Sequence, residues 1–208
     1  KISQQQHARV ACLSKKTMKS PALLPASHVH NIAFAAALAC AGSAQAAALP
    51  PAIAAQLNAN YPAVESLDLH RHPELAFQEV ETAKKLAEKV KALGFDVTTG
   101  VGGTGVVAIL RNGPGPVVML RTEIDALPVL EKTGLPFASS AVTKNAAGET
   151  VPVMHACGHD VHMSAWYGSA KLMADNRQQW SGTLMLVGQP AEEPLLGAAA
   201  MLKDGLFT

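Results

Sequence analysis

Gly100-Val101-Gly102-Gly103-Thr104-Gly105 satisfies G-x-G-x-x-G, and Val106-Val107-Ala108-Ile109-Leu110 follows without a break. A dinucleotide-binding unit needs a helix opening at the third glycine, so that its N-terminus meets the pyrophosphate. Here an apolar, β-branched run continues as a strand instead. The glycines therefore make a turn between two strands, and nucleotide binding is set aside. Outward from this hairpin, residues 95–99, 105–110, 117–121 and 183–187 are short apolar runs bounded by Gly or Pro and read as strands. Asn112-Gly113-Pro114-Gly115-Pro116 predicts a tight antiparallel connection between the second and third. Residues 79–93 carry Val80, Ala83, Leu86, Ala87, Val90 and Leu93 at helical spacing and stop at Gly94. Residues 61–71, broken by His72-Pro73-Glu74, and residues 160–176 read as further helices. The class is α/β, a mixed sheet flanked by helices, with no internal repeat.

The chain has 208 residues, 49% of them hydrophobic and 16% charged, with a formal net charge of +1. Such a composition suits one domain, or one and part of another. It offers no electrostatic footprint for nucleic acid, because Lys84, Lys85, Lys89 and Lys91 share one helix as a solvated face. Residues 32–41 read IAFAAALACA, preceded by Met18-Lys19 and followed by Ser43-Ala44-Gln45-Ala46. This is the pattern of a signal peptide over 18–46, cleaved after Ala46, behind an over-extended leader at 1–17. The apolar core is too short for a membrane span of about twenty residues. A periplasmic or secreted protein without a membrane anchor is expected. A lipoprotein reading of Cys40 meets Ala37 where Leu is usual. Cleavage removes Cys12 and Cys40 and leaves Cys157 alone; an unpaired thiol in an oxidising compartment is expected to be buried or to ligate metal.

The chemistry concentrates in His155-Ala156-Cys157-Gly158-His159-Asp160-Val161-His162 and in Glu192-Glu193. A lone Cys is usually a small buried hydrophobe, and a Glu-Glu pair is usually solvated. Three His and a Cys within eight residues are a metal-site vocabulary. On an extended segment Cys157 and His159 point to one side and can grip one ion, whereas Glu192 and Glu193 diverge, one toward metal and one toward the attacking water. Asp160 either accepts a hydrogen bond from a ligand imidazole or caps the helix that begins there. Two other readings stay open: Cys157 as a thiol nucleophile with a nearby His, and a metal- or partner-binding module without catalysis.

Leu69-His70-Arg71-His72-Pro73-Glu74-Leu75, Arg121-Thr122-Glu123-Ile124-Asp125-Ala126-Leu127-Pro128, His155 to Asp160 and Gln189-Pro190-Ala191-Glu192-Glu193 resemble the motifs of the M20 metallopeptidase family. The similarity is to its amidohydrolase branch, which includes hippurate, N-acyl-amino-acid and auxin-conjugate hydrolases. The resemblance implies a zinc-peptidase-like catalytic domain with an inserted lid or dimerisation domain, and two divalent ions (Mn, Zn, Co or Ni) per complete site. It further implies a small-molecule amide substrate and a homodimeric full-length protein. Cys157, His159 and Glu193 would be metal ligands, and Glu192 the general base that activates metal-bound water. Asp160, Asp125, Glu123 and His162 would support the site or face substrate. Glu123 departs from the Asp usual in this branch. The family pattern also continues beyond Thr208, through two more His ligands and the lid. Residues 47–208 are thus expected to be the N-terminal part of a catalytic domain, incomplete at its C-terminus and inactive alone.

Overall fold

The computed structural model describes residues 49–65 and 68–208. The expected leader, signal peptide and cleavage site at Ala46, with Cys12 and Cys40, lie outside the described residues. Helix α1 spans Pro51–Glu65 and starts on a proline, whose missing N–H is no loss in the first turn. The helix expected over 61–71 is therefore displaced toward the N-terminus. Asp68 has φ +46°, a left-handed turn that carries the chain out of helical geometry before the His72-Pro73 break.

Helix α2, Val80–Ala92, buries Ala83, Leu86, Ala87 and Val90, as the spacing predicts, while Val80 at its N-terminus is 59% exposed. Its first-turn amides are satisfied from outside: the Glu74 carboxylate accepts Glu81 N–H at 3.2 Å and Thr82 N–H at 2.7 Å. Negative charge belongs at that positive end of the helix dipole. The helix stops where Gly94 takes φ +89°.

Strands β1 (Asp96–Val101), β2 (Gly105–Asn112) and β3 (Val117–Glu123) follow, then a small hairpin of β4 (Val142–Lys144) and β5 (Thr150–Pro152). Helix α3 (His159–Asp175), a single 3-10 turn at Arg177–Gln179, strand β6 (Gly182–Gln189) and helix α4 (Gly197–Lys203) complete the chain. The main sheet has the order β1-β2-β6-β3. β1 and β2 form the glycine hairpin, β6 is antiparallel to β2, and β3 is parallel to β6. The sheet is mixed, as expected, but residues 112–116 do not join neighbouring strands. β6 inserts between β2 and β3. Its Leu184, Leu186 and Val187 are buried, so this apolar strand takes a partner on each side. Thr183 N–H donates to Pro116 O at 2.9 Å, seating the start of β6 directly beside the proline turn.

Helices α2 and α3 share one core with the sheet, in which Leu86, Val90, Val106, Ala108, Ile124, Met163, Trp166 and Leu186 are buried. Each such large apolar side chain contributes about 1.5–3 kcal/mol. α1 joins through Ala63 and Val64 and through a reciprocal amide pair between Gln56 and Asn176 at 2.9 and 3.2 Å. Among the described residues no helix is long and apolar enough to cross a membrane.

Candidate metal centre

Because β3 and β6 are parallel, their carboxyl ends lie side by side, with Glu123 opposite Gln189. In open α/β sheets this edge is where loops build sites. Arg121 Nε donates to Gln189 Oε1 at 2.7 Å, and Ile124 N–H to Gln189 O at 3.0 Å, locking the two exits together. One exit leads to Asp125 and the other to Glu192-Glu193. The N-terminus of α3 delivers the third group, Cys157 and His159.

Cys157, His159 and Glu193 present ligand atoms within 4.8 Å of one another. The extended segment expected for Cys157 and His159 is not what forms: Gly158 takes φ +83° and His159 is already the first residue of α3. A left-handed glycine, not strand alternation, swings the thiol and the imidazole to one point. The divergence expected of the two carboxylates is not found either. Ala191 has φ +47°, so Glu192 and Glu193 sit in a turn and converge: Glu192 Oε2 lies 3.7 Å and Glu193 Oε1 4.0 Å from His159 Nε2.

The His159 ring is buried, and its Nδ1 lies 2.8 Å from the Asp125 carbonyl and 3.5 Å from Asp125 Oδ1. A carbonyl only accepts, so Nδ1 carries the proton and Nε2 is left to face the carboxylates. Asp125 is fully buried, and its Oδ2 accepts Glu193 N–H at 3.0 Å. Asp125, rather than Asp160, orients the imidazole. Among the described residues no side chain caps α3; Asp160 Oδ2 instead meets His70 Nδ1 at 2.7 Å, neither of the two expected roles.

Glu123 Oε1 pairs with Arg121 at 2.7 Å and Oε2 with the exposed His162 at 3.0 Å. Together with His159 these form a second group of donors within 4.8 Å. A network absent from the sequence reading stands behind α3: His70 bridges Asp160 and Glu131 (3.1 Å), and Glu131 also accepts Ser139 N–H and the Thr133 hydroxyl. His70 is 90 residues from Asp160, and no local signal joins them. Buried His155 has both ring nitrogens unpartnered among the described residues.

The electrostatics are those of a cation site. Asp125 holds His159 up at about 9 against the opposing effect of burial. Burial raises the Asp125 carboxyl, but hydrogen bonds from His159 and the Glu193 amide outweigh it and lower the pKa. Burial, Asp125 and Glu192 push Glu193 up against His159. The Cys157 thiol is pushed up, chiefly by Glu193. Burial takes His155 down to about 4. Glu193 Oε1 is buried without a hydrogen-bond partner among the described residues. A buried, unpartnered carboxylate oxygen beside a thiol and an imidazole suits a borderline-soft divalent ion.

Residues 119–208 match the family described as peptidase family M20/M25/M40. The chain belongs to the M20 peptidase family. This M20 chain is 44% identical over 140 residues to the hippurate hydrolase of Campylobacter jejuni, covering 67% of this chain and 34% of that protein. It is 41% identical over 146 residues to an N-acetylcysteine deacetylase of Bacillus subtilis, covering 67% and 35%. The YXEP protein of Bacillus subtilis, described as a dinuclear metal binding peptidase from the M20 family, superposes with a TM-score of 0.63. Its sequence identity is 38%, over 73% of this chain and 41% of that one. The M20 chain thus spans about a third of the length of these curated relatives. The mixed sheet flanked by helices is the fold of its M20 neighbour.

Proposed function

We propose that the complete protein is a metal-dependent amidohydrolase that cleaves the amide bond of N-acyl amino acids or similar small conjugates. The observation that carries this reading is the buried His159, proton-fixed at Nδ1 by Asp125, with Nε2 aimed at Glu192 and Glu193. Cys157, His159 and Glu193 would hold a divalent ion such as Mn, Zn, Co or Ni, and a second ion asks for further ligands. Bound there, a divalent ion would supply a Lewis acid for the substrate carbonyl and would lower the pKa of water so that a base can deprotonate it for attack. Glu192, on the solvent side of the turn, takes the proton from that water and returns it to the leaving amine. Asp125 keeps the imidazole in its ligating tautomer and steadies the Glu193 backbone.

A thiol nucleophile is disfavoured, since reactive cysteines sit in electropositive surroundings that lower their pKa. Here carboxylates raise it. The leader pattern supports export to the periplasm or beyond, and the family resemblance supports a homodimer.

The test expresses the complete gene product and the 208-residue chain with Mn²⁺ or Zn²⁺ and assays N-acyl amino acids. E192Q is expected to lower kcat by about 10²–10⁴-fold while metal content is retained. Wild-type turnover by E192Q, or turnover that survives chelation, would sink the proposal.

A further inference from the structure

Glu79 is a fully buried carboxylate that the chemistry above does not use. It precedes α2 and lies 112 residues from Ala191, yet its Oε1 accepts Ala191 N–H at 2.9 Å. Its Oε2 accepts the Thr104 hydroxyl at 2.5 Å, at the end of the glycine hairpin. Burying a carboxylate is costly unless its hydrogen bonds are worth more. Burial does push Glu79 above the ordinary range, and the Thr104 and Ala191 hydrogen bonds draw it back.

Ala191 is buried and left-handed, at φ +47°, a conformation that a non-glycine residue holds only when its surroundings insist. The surroundings are built for close approach. A Cβ on Gly105 would meet Pro190 Cδ at 3.1 Å, and one on Gly197 would collide with the Pro190 carbonyl. Gly102 N–H donates to Asp204 at 2.7 Å, tying the hairpin to the end of α4. The glycine motif, followed by a strand where a dinucleotide fold needs a helix, is thus a seat for the Pro190-Ala191 segment.

We propose that Glu79 is the positioning residue of the Glu192-Glu193 turn. By holding Ala191 N–H against the Thr104 end of the glycine hairpin, it keeps the turn left-handed and aims both carboxylates at His159 Nε2. This rests on the reading of Glu192 as base and Glu193 as ligand.

Two substitutions in the complete gene product separate reach from charge. E79Q keeps an acceptor for Ala191 N–H and a donor for Thr104, whereas E79D keeps the charge but falls short by a methylene. Backbone hydrogen exchange at Ala191 in the metal-free protein and Co²⁺ affinity are read side by side, with circular dichroism reporting the folded state. E79Q is expected within about two-fold of wild type in both, and E79D about ten-fold faster in exchange and about ten-fold weaker for Co²⁺, the scale of one lost charged hydrogen bond. Thr104→Val, which frees Oε2 alone, is expected between them. Wild-type exchange and affinity in E79D overturn the proposal, as does an E79Q as impaired as E79D; if E79D does not fold, unchanged exchange in Thr104→Val overturns it. A wild type that binds no Co²⁺ fails the metal reading, while the exchange at Ala191 still decides whether Glu79 holds the turn.

Discussion

At the scale of single residues, the site is a set of opposed charges arranged around one imidazole. Asp125 is the main cause of the high His159 pKa of about 9, with the Asp125 carbonyl and Glu123 adding to it. The sign follows from linkage: a pKa raised on folding contributes stability fully below the unfolded value near 6.5, and loses it as pH rises through about 9. In the metal-free protein, D125N is therefore expected to bring His159 down toward 6.5, read by histidine NMR across a pH titration. A ring still titrating near 9 would move the cause to the other carboxylates. D125N is also expected to weaken metal binding about 10–100-fold, as loss of a group that orients a ligand does. Cys157 is exposed, which does not fit the buried alternative expected for an unpaired thiol.

At the scale of elements, each candidate ligand is delivered by an end of a strand or helix. α2 holds the hairpin side of the sheet, and its N-terminus depends on Glu74, which supplies a carboxylate to two otherwise unpaired amides. Removing that cap with E74A should cost about 0.5–2 kcal/mol, visible as a lower midpoint in urea with an unchanged slope. An unchanged midpoint would mean that water replaces the carboxylate without loss. β3 is one of the two edges of the sheet, and there Val117 (69% exposed), Val118 (57%) and Met119 (48%) leave an apolar strand beside solvent. Its carboxyl end is nevertheless fastened to the sheet, because Arg121 and Ile124 are tied to Gln189 of β6.

At the scale of the whole molecule, His70 ties the segment around Glu131 to the start of α3, and through it to the Cys157-His159 turn. Glu131 is held down at about 2, chiefly by the Thr133 hydroxyl and then by the Ser139 amide and His70. Burial pulls His70 down, but its hydrogen bonds to Asp160 and Glu131 outweigh burial and raise it. The Glu131 contribution is complete above 4.5 and is lost as pH falls toward about 2, while that of His70 is complete below 6.5. The network is thus strongest between those two values. E131Q should narrow its stability gap to wild type as pH falls from 4.5 toward 2, measured by urea unfolding across that range; a gap independent of pH would show that Glu131 acts by packing alone. The sequence by itself determined the class, the buried stripe of α2, the refusal of a nucleotide fold at Gly105, and the residue types of the candidate metal site. These are properties of neighbours along the chain, set by periodicity, turn chemistry and donor type. Only the tertiary structure decided that β6 separates β2 from β3, that Gly158 and Ala191 turn left-handed to bring Cys157, His159, Glu192 and Glu193 together, and that Asp125 and not Asp160 orients the imidazole. Those outcomes depend on which strand ends lie side by side and on which buried donor finds which acceptor, and hydrogen bonds spanning 34 to 112 residues leave no local signature.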